Sequence, residues 1–96
     1  MVIEQRAKDQ KLSEIFKTLS EPNRIEILRI LYHSEHELTC SEVSHQLNIS
    51  KSTVSYHFKA LRHAGLTNTR QSAQTKFLSI NTDTFNRYLP SFLDSL

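Results

Sequence analysis

One segment constrains the fold more than any other, because it combines a helix start, an apolar face and a helix stop. Ser50 can cap a helix that runs from Lys51 to about Ala64. Apolar residues within it recur at i, i+4 and i+7, which defines one buried face: Val54, Phe58 and Leu61. Gly65, the only glycine in the chain, follows where a left-handed C-cap is favoured. The segment therefore predicts a short amphipathic helix with well-defined ends.

A second short helix is predicted immediately before this one. The run from Thr39 to Glu42 has the form of a capping box, so a helix should begin here and continue to about Leu47. Residues 48–50 then form a three-residue turn. Two short helices joined by such a turn are the docking unit of the helix-turn-helix motif.

The charge distribution supports an anionic partner. Residues 43–82 contain five of the chain's 12 Lys and Arg residues and none of its 10 Asp and Glu residues. This stretch has a formal charge of +5 and the rest has −3, so the overall value of +2 conceals a polarised molecule. A basic segment with the apolar pattern of folded helices is typical of phosphate-backbone binding.

The exposed face of the helix predicted from Lys51 to about Ala64 indicates which side chains contact DNA. Residues near its start would reach base edges in the major groove, with His57 depending on the helix rotation and Thr53 serving either base contact or capping. These residues are Lys51, Ser52, Thr53, Ser55, Tyr56 and His57. Later cations, Lys59 and Arg62, are expected to meet phosphates. Arg70 and Lys76 flank a predicted turn and could reach phosphates or an adjacent minor groove.

The remaining pattern predicts a mainly α fold with a small β-hairpin. Two helices come first: one spans Ile3–Leu19, and the next is capped by Ser20 with Pro22 in its first turn. A polar loop is predicted at 33–38. After the glycine, strands at 66–71 and 76–80 enclose a turn at 72–75, which together form a wing.

The last helix should begin with a cap at Asn81 or Thr82. Pro90 would cost about 3 kcal/mol inside a continuous helix, so a kink or two short helices is expected. Ninety-six residues form one domain with a marginal core, and pairing with a second copy would supply the missing burial. We expect the terminal helices to form that homodimer interface through Ile15, Phe16, Phe85, Leu89 and Phe92.

Two segments of the chain, LSEPNRIEIL (19–28) and LNISKSTVSYHFKALRHAGL (47–66), resemble the ArsR/SmtB family of winged-helix repressors. The resemblance spans about Phe16 to Ile80. It implies a dimeric winged helix-turn-helix whose recognition helices enter successive major grooves of an inverted-repeat operator. It also implies that residues 51–53 and 55–57 occupy the base-reading segment.

The family's metal-sensing positions are not preserved. Arsenic- and cadmium-type members carry two cysteines one residue apart where this chain has Thr39 and Ser41, with Cys40 between them. Zinc-type members use an aspartate and histidines on the last helix, whereas no histidine follows His63 here. Because soft metals need several thiolates and zinc needs about four ligands, we expect no metal and no cofactor.

Other regulatory chemistry stays open at Cys40. The thiol, at a predicted helix N-terminus, could have a lowered pKa and act as a redox switch, or it could be a small buried filler. Together with His33, His36 and Glu37 it could also ligate a metal, although the spacing matches no familiar pattern. The inducing signal is not predicted.

Other classes of protein are less well supported. A single glycine argues against nucleotide-cradling loops, and no nucleophile elbow or acid–base pair is visible, so the chain is not expected to be an enzyme. No apolar run approaches the roughly 18 residues that span a bilayer, and one cysteine favours a reducing cytoplasm. The interpretation is a homodimeric DNA-binding repressor; the alternatives are a regulator that responds to redox or metal through Cys40, and a winged-helix protein-interaction module.

Overall fold

The computed structural model describes residues 3–96, which form five α-helices and one two-stranded sheet. The elements follow the predicted order: α1 (Ile3–Thr18), α2 (Pro22–His33), α3 (Cys40–Leu47), α4 (Lys51–His63), β1 (Thr67–Ser72), β2 (Thr75–Ile80) and α5 (Thr82–Tyr88). A short 3₁₀ helix, Leu93–Ser95, follows α5. The prediction of a mainly α fold with a β-hairpin is therefore confirmed.

Local side-chain chemistry sets the boundaries of the helix-turn-helix. Thr39 caps α3 by accepting a hydrogen bond from the Glu42 backbone N–H (3.2 Å), and the Glu42 carboxylate accepts one from the Thr39 N–H (2.9 Å). The hydrogen bonds that the Glu42 carboxylate accepts from the backbone N–H and the hydroxyl of Thr39 lower the pKa of Glu42. Asn48 ends α3 in the left-handed conformation, with φ at 58°. The predicted capping box is confirmed.

The end of α4 is a Schellman motif centred on Gly65, whose φ is +81°. The N–H of Gly65 donates to the Arg62 carbonyl (2.9 Å), and the N–H of Leu66 donates to the Leu61 carbonyl (3.0 Å). Leu66 thus completes the helix cap, and this is why β1 begins at Thr67 instead of the predicted Leu66. The predicted left-handed C-cap is confirmed.

Two other predicted details differ from the structure. Ser20 does not cap α2, because its hydroxyl donates to the Lys17 carbonyl (2.7 Å) at the end of α1, and Glu21 occupies the N-cap without a side-chain bond. The wing turn is two residues long, since Ser72 pairs directly with Thr75, and Ala73 takes a φ of 54°. Pro90 separates α5 from the 3₁₀ helix, so of the two outcomes expected there, a kink or two short helices, the structure shows the second.

One apolar core unites these elements and holds α4 in place. Its buried residues come from every helix and from the hairpin, and α4 contributes the predicted face of Val54, Phe58 and Leu61. The wing is attached to the α2–α3 loop through a backbone bridge, in which Leu38 and Leu78 exchange hydrogen bonds of 3.4 and 2.7 Å. The helix-turn-helix and the wing therefore lie side by side.

Candidate nucleic-acid interface

The exposed face of α4 carries cations and short polar groups. Six of the predicted residues are solvent-exposed: Lys51, Ser52, Ser55, Tyr56, Lys59 and Arg62. Tyr56 has an exposed fraction of 64%, which is high for an aromatic side chain. No ion pair involves these cations within residues 3–96. The face is therefore cationic and able to donate hydrogen bonds.

Thr53 belongs to the cap of α4 more than to this face. Ser50 Oγ accepts a hydrogen bond from the Thr53 N–H (3.1 Å), and the two hydroxyl groups lie 2.8 Å apart. Thr53 is half-buried. Of the two roles predicted for it, local capping is the one that these contacts support.

His57 differs from the prediction of a DNA contact. Its exposed fraction is only 6%, and its Nδ1 accepts a hydrogen bond from Nε of Arg24, 3.1 Å away on α2. The rotation of α4 thus turns His57 toward the core, and it is removed from the set of exposed DNA-facing residues. Sequence reasoning missed Arg24 altogether, because no periodic pattern identifies which polar residue of α2 packs under α4.

The wing contributes two exposed cations, one of which is paired with a carboxylate. Lys76 is exposed at the start of β2. Arg70 instead binds Glu37 through two nitrogens, with Nη2–Oε1 at 2.7 Å and Nε–Oε1 at 2.9 Å, and its guanidinium lies 4.7 Å from the Phe77 ring centroid. The ion pair lowers the pKa of Glu37. Arg70 therefore has a carboxylate partner where a contact with phosphates or an adjacent minor groove was predicted.

The predicted dimer-interface residues fall into two groups. Ile15 and Phe85 have exposed fractions of 0% and 1%, so they belong to the core of the chain itself and their assignment to an interface is wrong. Phe16 is 58% exposed, while Leu89 and Phe92 are half-buried. Phe92 stacks on Phe85, with centroids 5.7 Å apart. Among the predicted interface residues, Phe16 on α1 is therefore the one whose side chain is mostly exposed.

Cys40 lies in surroundings that disfavour an activated thiol. The side chain is half-buried, and desolvation raises the pKa of the thiol although Lys51 and Lys76 act in the opposite direction. Of the two alternatives left open for Cys40, the lowered pKa of a redox switch is contradicted, and the half-buried position agrees with the alternative of a small filler. Among residues 3–96, no three His, Cys, Asp or Glu side chains come together in a geometry that could hold a metal ion.

The helices over the same residues also lack a membrane segment. None has both the length and the apolar content needed to span a bilayer.

The fold and the exposed face of α4 define a helix-turn-helix DNA-binding regulator. Residues 19–70 match the family model described as a helix-turn-helix domain. The chain is 53% identical over 88 residues to the uncharacterized HTH-type transcriptional regulator YceK of Bacillus subtilis, covering 92% of this chain and 88% of that protein. It is 34% identical to the arsenical resistance operon repressor of Staphylococcus xylosus, covering 88% and 79% respectively. The chain belongs to the ArsR/SmtB-like family of winged-helix transcriptional regulators.

A solved structure supports the same fold. A homodimeric winged helix-turn-helix domain from Mycobacterium bovis, described as a possible ArsR-family regulator, superposes with a TM-score of 0.82. The match covers 99% of this chain and 85% of that one at 19% identity. At this identity the likeness concerns the fold alone.

Proposed function

We propose that this DNA-binding regulator acts in the cytoplasm as a non-enzymatic homodimeric repressor of one winged-helix domain per chain, which occupies an inverted-repeat operator. The observation that carries the proposal is the exposed basic and polar row along α4, which no described carboxylate neutralises. A duplex offers phosphates on both sides of the major groove, so such a row can meet backbone and base edges together.

Each exposed side chain has a proposed role. Ser55 and Tyr56 donate or accept hydrogen bonds at base edges. Lys51 and Ser52, at the start of α4, contact the DNA at the beginning of each half of the inverted repeat. Lys59 and Arg62, further along the helix, bind phosphates, which fixes the orientation of the protein without reading sequence. Lys76 extends the cationic surface to the tip of the wing.

Dimerisation would place two recognition helices about one helical turn of DNA apart, near 34 Å. Phe16 is the candidate contact because burial of its exposed aromatic ring against a partner would remove apolar surface from water. The homodimeric state of the Mycobacterium bovis domain, which has the same fold, supports the proposal.

The test of DNA binding uses a duplex enriched from a random pool by the wild-type protein, compared with a scrambled duplex of equal length. Fluorescence anisotropy at rising salt should give a log–log slope no steeper than about −7, since two protomers each present Lys51, Lys59, Arg62 and Lys76 and each neutralised phosphate contributes about −0.9. Absence of salt-dependent binding at micromolar protein would instead favour a protein-interaction module.

Point variants separate base reading from phosphate binding. Tyr56→Ala or Ser55→Ala should reduce the preference for the enriched duplex, whereas Lys59→Ala should weaken binding to both duplexes equally. Equal losses on both duplexes for the first pair would refute the base-reading assignment.

The direction of regulation is tested separately. In a purified transcription assay with the enriched sequence over a promoter, added protein should lower transcript yield. A rise in transcript would show activation and contradict the repressor assignment.

A further inference from the structure

A buried arginine of α2 lies beneath α4, which is the proposed recognition helix. Arg24 of α2 has an exposed fraction of 8%, although arginine is rarely buried without partners. Its Nε donates to His57 Nδ1 (3.1 Å), its Nη1 donates to the Thr18 carbonyl (3.2 Å), and its Nη2 lies 2.8 Å from a Glu21 carboxylate oxygen. All three nitrogens are engaged, and they join the end of α1, the start of α2 and the middle of α4.

The same guanidinium also lies close to Tyr56, an exposed residue of the proposed DNA-facing surface. Its central carbon lies 5.8 Å from the centroid of the Tyr56 ring. The His57 ring meets the Tyr56 ring edge-on, with centroids 5.2 Å apart and an interplanar angle of 67°. Tyr56 is thus exposed on its outer side and supported on its inner side by a cation and an aromatic edge.

The hydrogen bond also assigns a role to each partner. Because the Nε–H of Arg24 can only donate, Nδ1 of His57 is the acceptor in this contact. A planar guanidinium can make this bond, the carbonyl bond and the ion pair in one orientation, whereas an ammonium group cannot reproduce that fork.

We propose that Arg24 is a positioning residue for sequence reading, which orients Tyr56 and the base-reading face of α4 through His57. The inference rests on the proposed function, because it takes that face to be the one that contacts DNA. A rigid support matters there since a hydrogen bond to a base edge tolerates little change in distance or angle. Arg24 itself touches no DNA.

The main experiment compares Arg24→Gln with Arg29→Gln, a matched control on the same helix that removes the same charge. Arg29 contacts Glu26 and the Leu96 carbonyl, and within residues 3–96 its side chain makes no hydrogen bond or ion pair with α4. We expect Arg24→Gln to lower the ratio of affinities for the enriched and scrambled duplexes about tenfold, with scrambled-duplex affinity unchanged. Arg29→Gln should keep the wild-type ratio. A wild-type ratio in Arg24→Gln overturns the proposal.

Variants of His57 provide a rescue that does not depend on Arg24→Gln folding. His57→Asn keeps an acceptor near the Nδ1 position and should retain most of the preference, whereas His57→Leu removes it and should lose the preference. Arg24→Lys preserves the charge but not the fork and should also lose it. Equal preference in His57→Asn and His57→Leu would refute a role for this hydrogen bond.

A spectroscopic measurement distinguishes positioning from general stabilisation. The ¹⁵N spectrum of the neutral His57 ring should show the Nε2–H tautomer in wild type and in Arg29→Gln, and a mixture of tautomers in Arg24→Gln. A single unchanged tautomer in Arg24→Gln would contradict the proposal. If Tyr56→Ala leaves the duplex preference intact, the base-reading assignment fails; if Tyr56→Ala lowers it and Arg24→Gln does not, only the positioning role fails.

Discussion

Replacing Gly65 by alanine should destabilise the protein through backbone strain alone. An added Cβ would meet Lys11 Nζ at 3.5 Å and Thr84 Oγ1 at 3.9 Å, which are ordinary contacts, so no clash contributes. A φ of +81° costs a residue with a Cβ about 1–2 kcal/mol. Alanine also lowers the conformational entropy of the unfolded chain, which stabilises the folded state by about 0.4–1 kcal/mol. The net loss in the free energy of unfolding is therefore ~1 kcal/mol. For a domain of this size the Tm should fall by about 4–8 °C.

The assay is thermal unfolding at fixed protein concentration, because dimerisation would make the Tm depend on concentration. Gly65→Asn is the graded control, since the chain already places Asn48 at a φ of 58° at the end of α3. Asparagine tolerates this conformation better than alanine, so Gly65→Asn should lose less than Gly65→Ala. A Gly65→Ala protein as stable as wild type, or a reversed order of the two variants, would refute the argument.

Four further predictions concern single side chains. Thr67 Oγ1 is buried and has no hydrogen-bond partner within residues 3–96, so Thr67→Val should raise the Tm, and a lower Tm would contradict this reading. Because Arg70 lowers the pKa of Glu37, their contact stabilises the fold above the ordinary carboxyl pKa of 4.5 and is lost as pH falls through the lower folded value. Between neutral pH and about pH 3.5, the Tm of Glu37→Gln should therefore fall less than the Tm of the wild type. An equal fall in both proteins would refute this. Phe16→Glu should shift the protein to monomer in sedimentation at tens of micromolar, while an unchanged dimer would exclude Phe16 from the interface. Cys40 should react with iodoacetamide more slowly than a free thiol at neutral pH, because burial raises its pKa, and a faster reaction would disprove this.

Features that depend on neighbouring residues could be predicted from the sequence. The capping box at Thr39, the left-handed cap at Gly65 and the break at Pro90 each follow from one residue's own geometry or from a partner three residues away. Helical spacing likewise identified the buried face of α4.

Features that depend on tertiary packing could not be predicted in this way. Arg24 and His57 are 33 residues apart, as are Glu37 and Arg70, and no local pattern links either pair. Spacing shows that Phe85 lies on an apolar face, but the same face can pack against the chain's own core or against a second copy. Only the arrangement of the helices resolves that choice.

The pairing of Glu37 with Arg70 also reduces the cationic charge available on residues 43–82, the stretch that contains no acidic residue. The carboxylate lies outside the stretch in sequence, yet the Leu38–Leu78 bridge brings it to the wing and it neutralises one of the five cations. The remaining four are the three on α4 and Lys76. Phosphate affinity depends on cations that release small counterions when they bind phosphate. With Arg70 paired to Glu37, the basic surface is smaller than the formal charge of +5 suggests. Three of the four remaining cations lie along α4.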